Sequence, residues 1–245
     1  MTQTPIVNLG EKYLVGLGMS RTDDENIAIA TGQCRDSTNV WDIVVDSALN
    51  ADNLTSGANG LDTGSVAANT HYAVYVIGDT TRHNDPAALL STSFSSPTLP
   101  SGYDVFRRIG AVKTDATSDF LEFRQQGAGS DRWMYYDVAI ATDITAGASA
   151  TFAAVDASGG IPNVANASGM VDMLCLFTPT APNNTLELRP GSSSAAAGYV
   201  RASGAVAAVV ETCNLICPYD ASTGVDYKVA GSAVALSVAG YMDKL

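Results

Sequence analysis

The clearest pattern along the chain is an alternation of apolar and polar residues, with no sustained helical period. It begins at residues 41–46 (Trp-Asp-Ile-Val-Val-Asp) and sharpens at 70–78 (Thr-His-Tyr-Ala-Val-Tyr-Val-Ile-Gly). Further strands are predicted at 88–92, 103–113 and 120–125, separated by Gly, Asn, Asp, Pro and Ser clusters such as 55–60. After a glycine-rich break at 126–131, a second series covers 132–140, 150–155, 170–177, 185–189, 199–202, 205–213, 227–230 and 233–238. About eight short antiparallel strands in this half predict a sandwich or jelly roll. The expected fold is all-β: two β-sandwich or jelly-roll-like domains, residues 1–130 and 131–245, with antiparallel strands and Gly/Pro/Asn-rich turns.

Alanine-rich stretches near 194–208 are not read as helix, because Gly198 and Gly204 interrupt them and β-branched residues follow. The one segment with helical character is 46–52. Residues 1–18 have no periodicity, and Pro5, Gly10, Gly16 and Gly18 break any helix. Residues 1 to about 20 therefore read as an arm that orders on docking to a partner.

Composition narrows the function. Thirteen Lys and Arg against 25 Asp and Glu give a formal charge of -12 and a pI near 4.3. That field opposes a polyanion whose binding depends on neutralised phosphates, so no nucleic-acid partner is expected. No uncharged apolar run approaches the ~20 residues of a membrane helix, and the first residues lack a secretory signal. Synthesis in a cytoplasm and no membrane span are the expectations.

Candidate chemistry is sparse. Cys34, Cys175, Cys213 and Cys217 are too few for a disulfide scaffold and read as buried free thiols. On a strand, Cys213 and Cys217 would share a face about 13 Å apart, too far to bridge each other. With only His71 and His83, and no Cys-x-x-Cys pair, zinc is not expected. His71 reads as a strand residue and His83 as a loop residue, neither with a nucleophile's sequence context. The acidic groups Asp23-Asp24-Glu25 and Asp79 with Asp85 are the carboxylates to weigh for glycoside cleavage. No long solenoid repeat accompanies them. Calcium and phosphate loops are absent as motifs. The reading is a protein that is not an enzyme, with no cofactor, no metal and no catalytic residue. Trp133, Tyr135 and Tyr136 are the candidate contacts for a glycan or a neighbouring subunit. Alternation puts Trp133 and Tyr135 on one strand face, Met134 and Tyr136 on the other.

One stretch is familiar. Residues 33–39 (Gln-Cys-Arg-Asp-Ser-Thr-Asn), 60–77 (from Gly-Leu-Asp-Thr-Gly to Tyr-Val-Ile), 97–104 (Pro-Thr-Leu-Pro-Ser-Gly-Tyr-Asp), 106–115 and 120–127 follow one another in a recognisable order. This segment, roughly residues 26–127, resembles bacteriophage and prophage tail-fibre-like proteins. The resemblance implies a structural virion protein, assembled on the particle exterior after synthesis in the host cytoplasm and serving host attachment. The alternative within it is a capsid-surface head fibre, spike or decoration protein that docks on or stabilises the shell. By the same likeness the expected partners are copies of itself, as a homo-oligomer and trimer, other virion proteins through the N-terminal arm, and a host surface glycan.

Overall fold

The computed structural model describes residues 12–162, 168–220 and 224–245. The expected all-β class holds: every regular element is a strand, and the described residues contain no helix, hence none long and apolar enough to cross a membrane. Two compact units emerge. Of the described residues, the first comprises those from Lys12 to Phe120 with Ala128–Ser130 and Leu245; the second comprises Leu121–Gly127 and those between Asp131 and Lys244.

The first unit contains β1 (Leu14–Gly16), β2 (Met19–Arg21), β3 (Asn26–Ile29), β4 (Gly32–Arg35), β5 (Asp42–Val45), β6 (Leu49–Asp52), β7 (Gly60–Leu61), β8 (His71–Gly78), β9 (Ala87–Ser91) and β10 (Val105–Lys113). They form three small sheets, ordered β1-β4-β5, β2-β3-β6 and β10-β8-β9-β7. All pairings are antiparallel except that of β7 with β9. Strand β8 is apolar on both faces and buried on both from Tyr72 to Gly78. Ala73, Tyr75 and Ile77 pack with Ala87 and Leu89 of β9, beneath Phe94, Leu99, Tyr103 and Phe106. Tyr75 meets Phe106 edge-on at 5.6 Å, and its hydroxyl donates to the Ser93 carbonyl at 2.8 Å.

Where β1 pairs with β4, Gly16 stands directly opposite Gly32. A Cβ on Gly32 would lie 2.6 Å from the Leu17 nitrogen and 2.9 Å from the Gly16 Cα, and Gly16 has φ +68°. Only glycine permits this backbone approach. Leu14, Leu17 and Met19 are buried beside it. The docking arm expected over residues 1 to about 20 is corrected accordingly: residues 14–16 and 19–21 are paired strands, and residues 1–11 lie outside the described residues. The helical reading of 46–52 is also wrong. Residues 49–52 form β6, paired along β3, because so short a segment gains more from sheet pairing and from burying Ala51 than from a turn or two of isolated helix.

The second unit contains β11 (Phe123–Ala128), β12 (Asp131–Ala141), β13 (Ala153–Val155), β14 (Ser168–Pro179), β15 (Thr185–Pro190), β16 (Val200–Ser203), β17 (Glu211–Asp220), β18 (Val225–Val229) and β19 (Ser232–Lys244). Within the glycine-rich stretch at 126–131, residues 126–128 end β11 and Gly129 and Ser130 make the tight turn into β12, with Gly127 and Gly129 at positive φ. One sheet runs β11-β12-β19-β14-β17 and the other β13-β18-β15-β16. From β12 onward the chain changes sheet at every connection except β15 to β16. That order is the eight-stranded jelly roll, with β11 added at one edge.

Alternation builds its core. Val171, Met173, Cys175 and Phe177 of β14 and Val234, Leu236 and Val238 of β19 face Leu186 and Leu188 of β15 and Val225, Tyr227 and Val229 of β18. On β15 and β18, Glu187 stands opposite Lys228 and Arg189 opposite Asp226, with ion pairs of 3.1 and 3.0 Å. Phe152 lies under both cations, 3.9 Å from the Arg189 guanidinium carbon and 4.9 Å from the Lys228 nitrogen. One predicted strand fails: 205–213 begins only at Glu211. Ala208 has φ +61°, which no strand holds, and the Glu211 carboxylate closes the turn by accepting the Ala205 N–H at 2.6 Å. Val206, Val209 and Val210 are left exposed.

Candidate functional site

One concavity of the first unit is built on an aspartate. Asp36 follows β4 and is fully buried. Its Oδ2 accepts the Thr38 N–H at 3.0 Å and the Thr38 hydroxyl at 2.6 Å, while Oδ1 accepts the N–H groups of Val40 and Trp41, both at 2.8 Å. The six-residue loop is thereby fixed, and it delivers Trp41, half-exposed at 47%, to the start of β5. Burial pushes the Asp36 carboxyl up, but the bonds from Thr38, Trp41 and Val40 outweigh it and hold the group below its usual range.

A second aspartate repeats the device after β8. Asp79 Oδ1 accepts from the Thr81 N–H at 2.7 Å and its hydroxyl at 2.5 Å; Oδ2 accepts the N–H groups of His83 and Asn84 at 3.0 Å and the Asn84 amide at 3.1 Å. Arg82, at the crest, takes φ +58°. Between the two loops lies a groove of about 430 Å³ lined by residues 40–44, 78–80, 82, 84–86 and 105. On the other side of the Asp79 loop is a shallower hollow of about 420 Å³ that includes His83, Gly102, Tyr103 and Asp104.

The polar lining divides into used and unused groups. Asp42 accepts the Tyr13 hydroxyl at 2.9 Å and pairs with Arg35 at 2.7 Å. Asp79 is consumed by its own loop. The Trp41 indole N–H, the Arg82 guanidinium and the Asp85 carboxylate have no hydrogen-bond partner among the described residues. Asp79 and Asp85, weighed from the sequence as a carboxylate pair, thus do line one groove. Yet hydrogen bonding, led by Thr81, holds Asp79 far down as a charged acceptor, the reverse of what a proton donor needs. Asp23, Asp24 and Glu25 form the β2–β3 turn instead: Asp23 accepts from Glu25 N–H and the Asn26 amide, and Asp24 pairs with Arg21. His71 lies in β8, opposite Lys113 of β10, and His83 lies in the exposed loop with Nδ1 2.8 Å from the Thr81 hydroxyl. Among the described residues no group of three or more His, Cys, Asp or Glu is placed to hold a metal ion.

In the second unit, β12 separates the sequence-nominated aromatics. Trp133 and Tyr135 turn to the outer face of the sheet and stack on each other at 5.6 Å and 12°. Tyr136 turns inward, packs on the core and donates to the Gly160 carbonyl at 2.9 Å; burial pushes its hydroxyl well up. It is a structural side chain and not a surface contact. The register places Trp133 beside Met242 and Met170, and Tyr135 beside Gly240, Asp172 and Ile216. Leu174 and Leu176 extend the same outer face, with Leu176 and Ile216 exposed.

All four cysteines are free thiols. Cys213 and Cys217 share a face of β17, as their spacing requires, but the close pair is another one: Cys175 stands directly opposite Cys213. Hydrogen bonding to Cys213, then burial, pushes the Cys175 thiol up; the same bond pulls Cys213 down. Opposed antiparallel residues have Cα atoms about 4.5–5.5 Å apart, inside the range a disulfide spans. Treatment with oxidised glutathione is expected to join Cys175 to Cys213, releasing two reduced glutathiones per bond formed. Peptide mapping checks this; a product joining Cys217 or linking two chains would refute it.

Comparison with known protein families, with curated proteins and with solved structures finds no match to this chain.

Proposed function

We propose that this chain is a non-enzymatic structural subunit of a bacteriophage particle exterior, a tail-fibre-like protein that serves attachment to the host surface. The observation that carries the reading is the eight-stranded jelly roll, an architecture shared by viral capsid and lectin domains and suited to holding loops rigidly for display. The resemblance of residues 26–127 to tail-fibre-like proteins supports it, as does the acidic charge, which keeps exposed copies from casual association. The outer face around Trp133, Tyr135, Met170 and Met242, partly exposed, and Leu176 and Ile216, exposed, supports assembly of copies into a homo-oligomer, for which a trimer is the expected number, because adjoining apolar side chains are stabilised by being covered.

Electron cryo-microscopy of intact particles tests both parts. Density at the tail periphery in threefold copies is the expected result. Density on the capsid would replace attachment with the head-fibre or decoration role. Absence from the particle would end the proposal.

A further inference from the structure

We infer that the groove between the Asp36 and Asp79 loops of the first unit binds a neutral saccharide, with Trp41 as its stacking face and Arg82 and Asp85 as its hydrogen-bonding groups. This inference rests on the attachment reading and names the ligand class that attachment would use.

Size comes first. At about 430 Å³ the groove falls within the ~300–1,000 Å³ of small-molecule sites. Chemistry comes next. Sugars present C–H faces flanked by hydroxyls, and they call for an aromatic plane bordered by planar polar groups. Trp41 is half-exposed at the groove with its indole N–H unpaired among the described residues. Asp85 carries a carboxylate free to accept from hydroxyls, and charge-assisted O–H···O⁻ bonds are short and strong. Arg82 offers guanidinium N–H groups to hydroxyl or ring oxygens.

The groove is also organised before any ligand arrives. The backbone beside Trp41 is held by both oxygens of Asp36, and that around Arg82 by both oxygens of Asp79. Asn39 and Arg82, both non-glycine residues, sit at φ +60° and +58°. Such positions carry a local cost and persist where surrounding bonds enforce them. A site rigid in advance loses less entropy on binding.

Charge selects the class of sugar. With Asp42 paired to Arg35, Asp79 and Asp85 line the groove against the cation Arg82, and the chain as a whole is at -12. Sialic or uronic acids would be repelled, as would phosphorylated ligands. An extended peptide added to β5, the edge strand of its sheet, is the other chemistry the place offers. The unused groups favour a sugar: they are an indole, a guanidinium and a carboxylate on side chains.

The test uses the purified full chain on an array of neutral and of sialylated or uronic acid-containing oligosaccharides, followed by calorimetry on a binder. Binding to neutral members is expected, with Trp41→Ala and Asp85→Asn each weakening it about tenfold or more, the scale of one lost hot-spot contact. Both variants should keep the wild-type melting profile, and Leu54→Ala, at an exposed position outside the groove, should bind as wild type. Binding confined to acidic sugars would overturn the neutral class. Saccharide binding abolished by Trp133→Ala and untouched by Trp41→Ala would overturn the groove while leaving attachment standing. Trp41→Ala changing the oligomeric mass instead would make the groove an assembly contact and overturn the inference. No binding to any sugar would also overturn it, whereas the particle location of the chain decides the attachment reading independently.

Discussion

Replacing Asp36 with alanine is expected to destabilise the first unit by about 3–5 kcal/mol. The side chain is fully buried and accepts four hydrogen bonds, three of them from backbone N–H groups. Bonds to a charged acceptor are worth about 1.5–3 kcal/mol each, and buried donors left unpaired cost about 1–3 kcal/mol; partial hydration of an opened loop keeps the sum below the simple total. Asp36→Asn keeps a carbonyl oxygen for two of the donors and should lose roughly half as much. Urea unfolding followed by Trp41 fluorescence measures both, and a loss below about 1 kcal/mol for the alanine variant would refute the account.

The pH dependence has a definite sign. The folded carboxyl lies below the ordinary value of 3.8, so the unfolded chain takes up the proton first as pH falls. The contribution of Asp36 is complete above that value and is lost as pH drops through the lower, folded one. Wild type and Asp36→Ala should therefore differ fully at neutral pH and converge in strong acid.

The same device recurs. Asp36 with Thr38, Asp79 with Thr81 and Asp115 with Thr117 each pair a carboxylate with the N–H and hydroxyl of the residue two positions on, and Asp156 does so with Ser158. Asp-x-Thr is visible in the sequence and was the signal that would have located both loops of the groove. The groove itself was not legible, because its lining comes from residues 40–44, 78–86 and 105, joined only when β5, β8 and β10 take their places. Strand β19 was legible in part from its alternation over 233–238, and β8 from its run of aromatic and β-branched residues although it is buried on both faces; so was the parity that sends Trp133 and Tyr135 outward. Strands β1 to β4 were not. Each has three or four residues, too few for a period, and one of their pairings depends on glycines meeting glycine. Segment 205–210 misled in the other direction: its valines suggest a strand, but a positive φ at Ala208 and the Glu211 carboxylate make it a turn.

Mild acid should weaken the first unit before its carboxylates titrate, and His71 should be the reason. The imidazole is partly buried in β8 and faces Lys113 across the pairing with β10; the Lys113 side chain donates to the Asn69 carbonyl at 3.0 Å. Burial first, and the Lys113 charge second, push the histidine down to about 3 from its ordinary 6.5. A neutral imidazole is thus what the fold accommodates. The unfolded chain gains its proton near 6.5, so the contribution of His71 is complete above that value and is lost progressively as pH falls toward about 3. Each unit of pH in that window is worth up to about 1.4 kcal/mol, and between pH 6.5 and about 5 the loss should reach about 1–2 kcal/mol. His71→Gln keeps a polar side chain that does not titrate and should flatten the stability profile across this interval. Lys113→Met should flatten it in part, since it removes the smaller of the two causes and leaves burial in place. Identical profiles for wild type and His71→Gln between pH 6.5 and about 5 would show that the proton is taken up elsewhere.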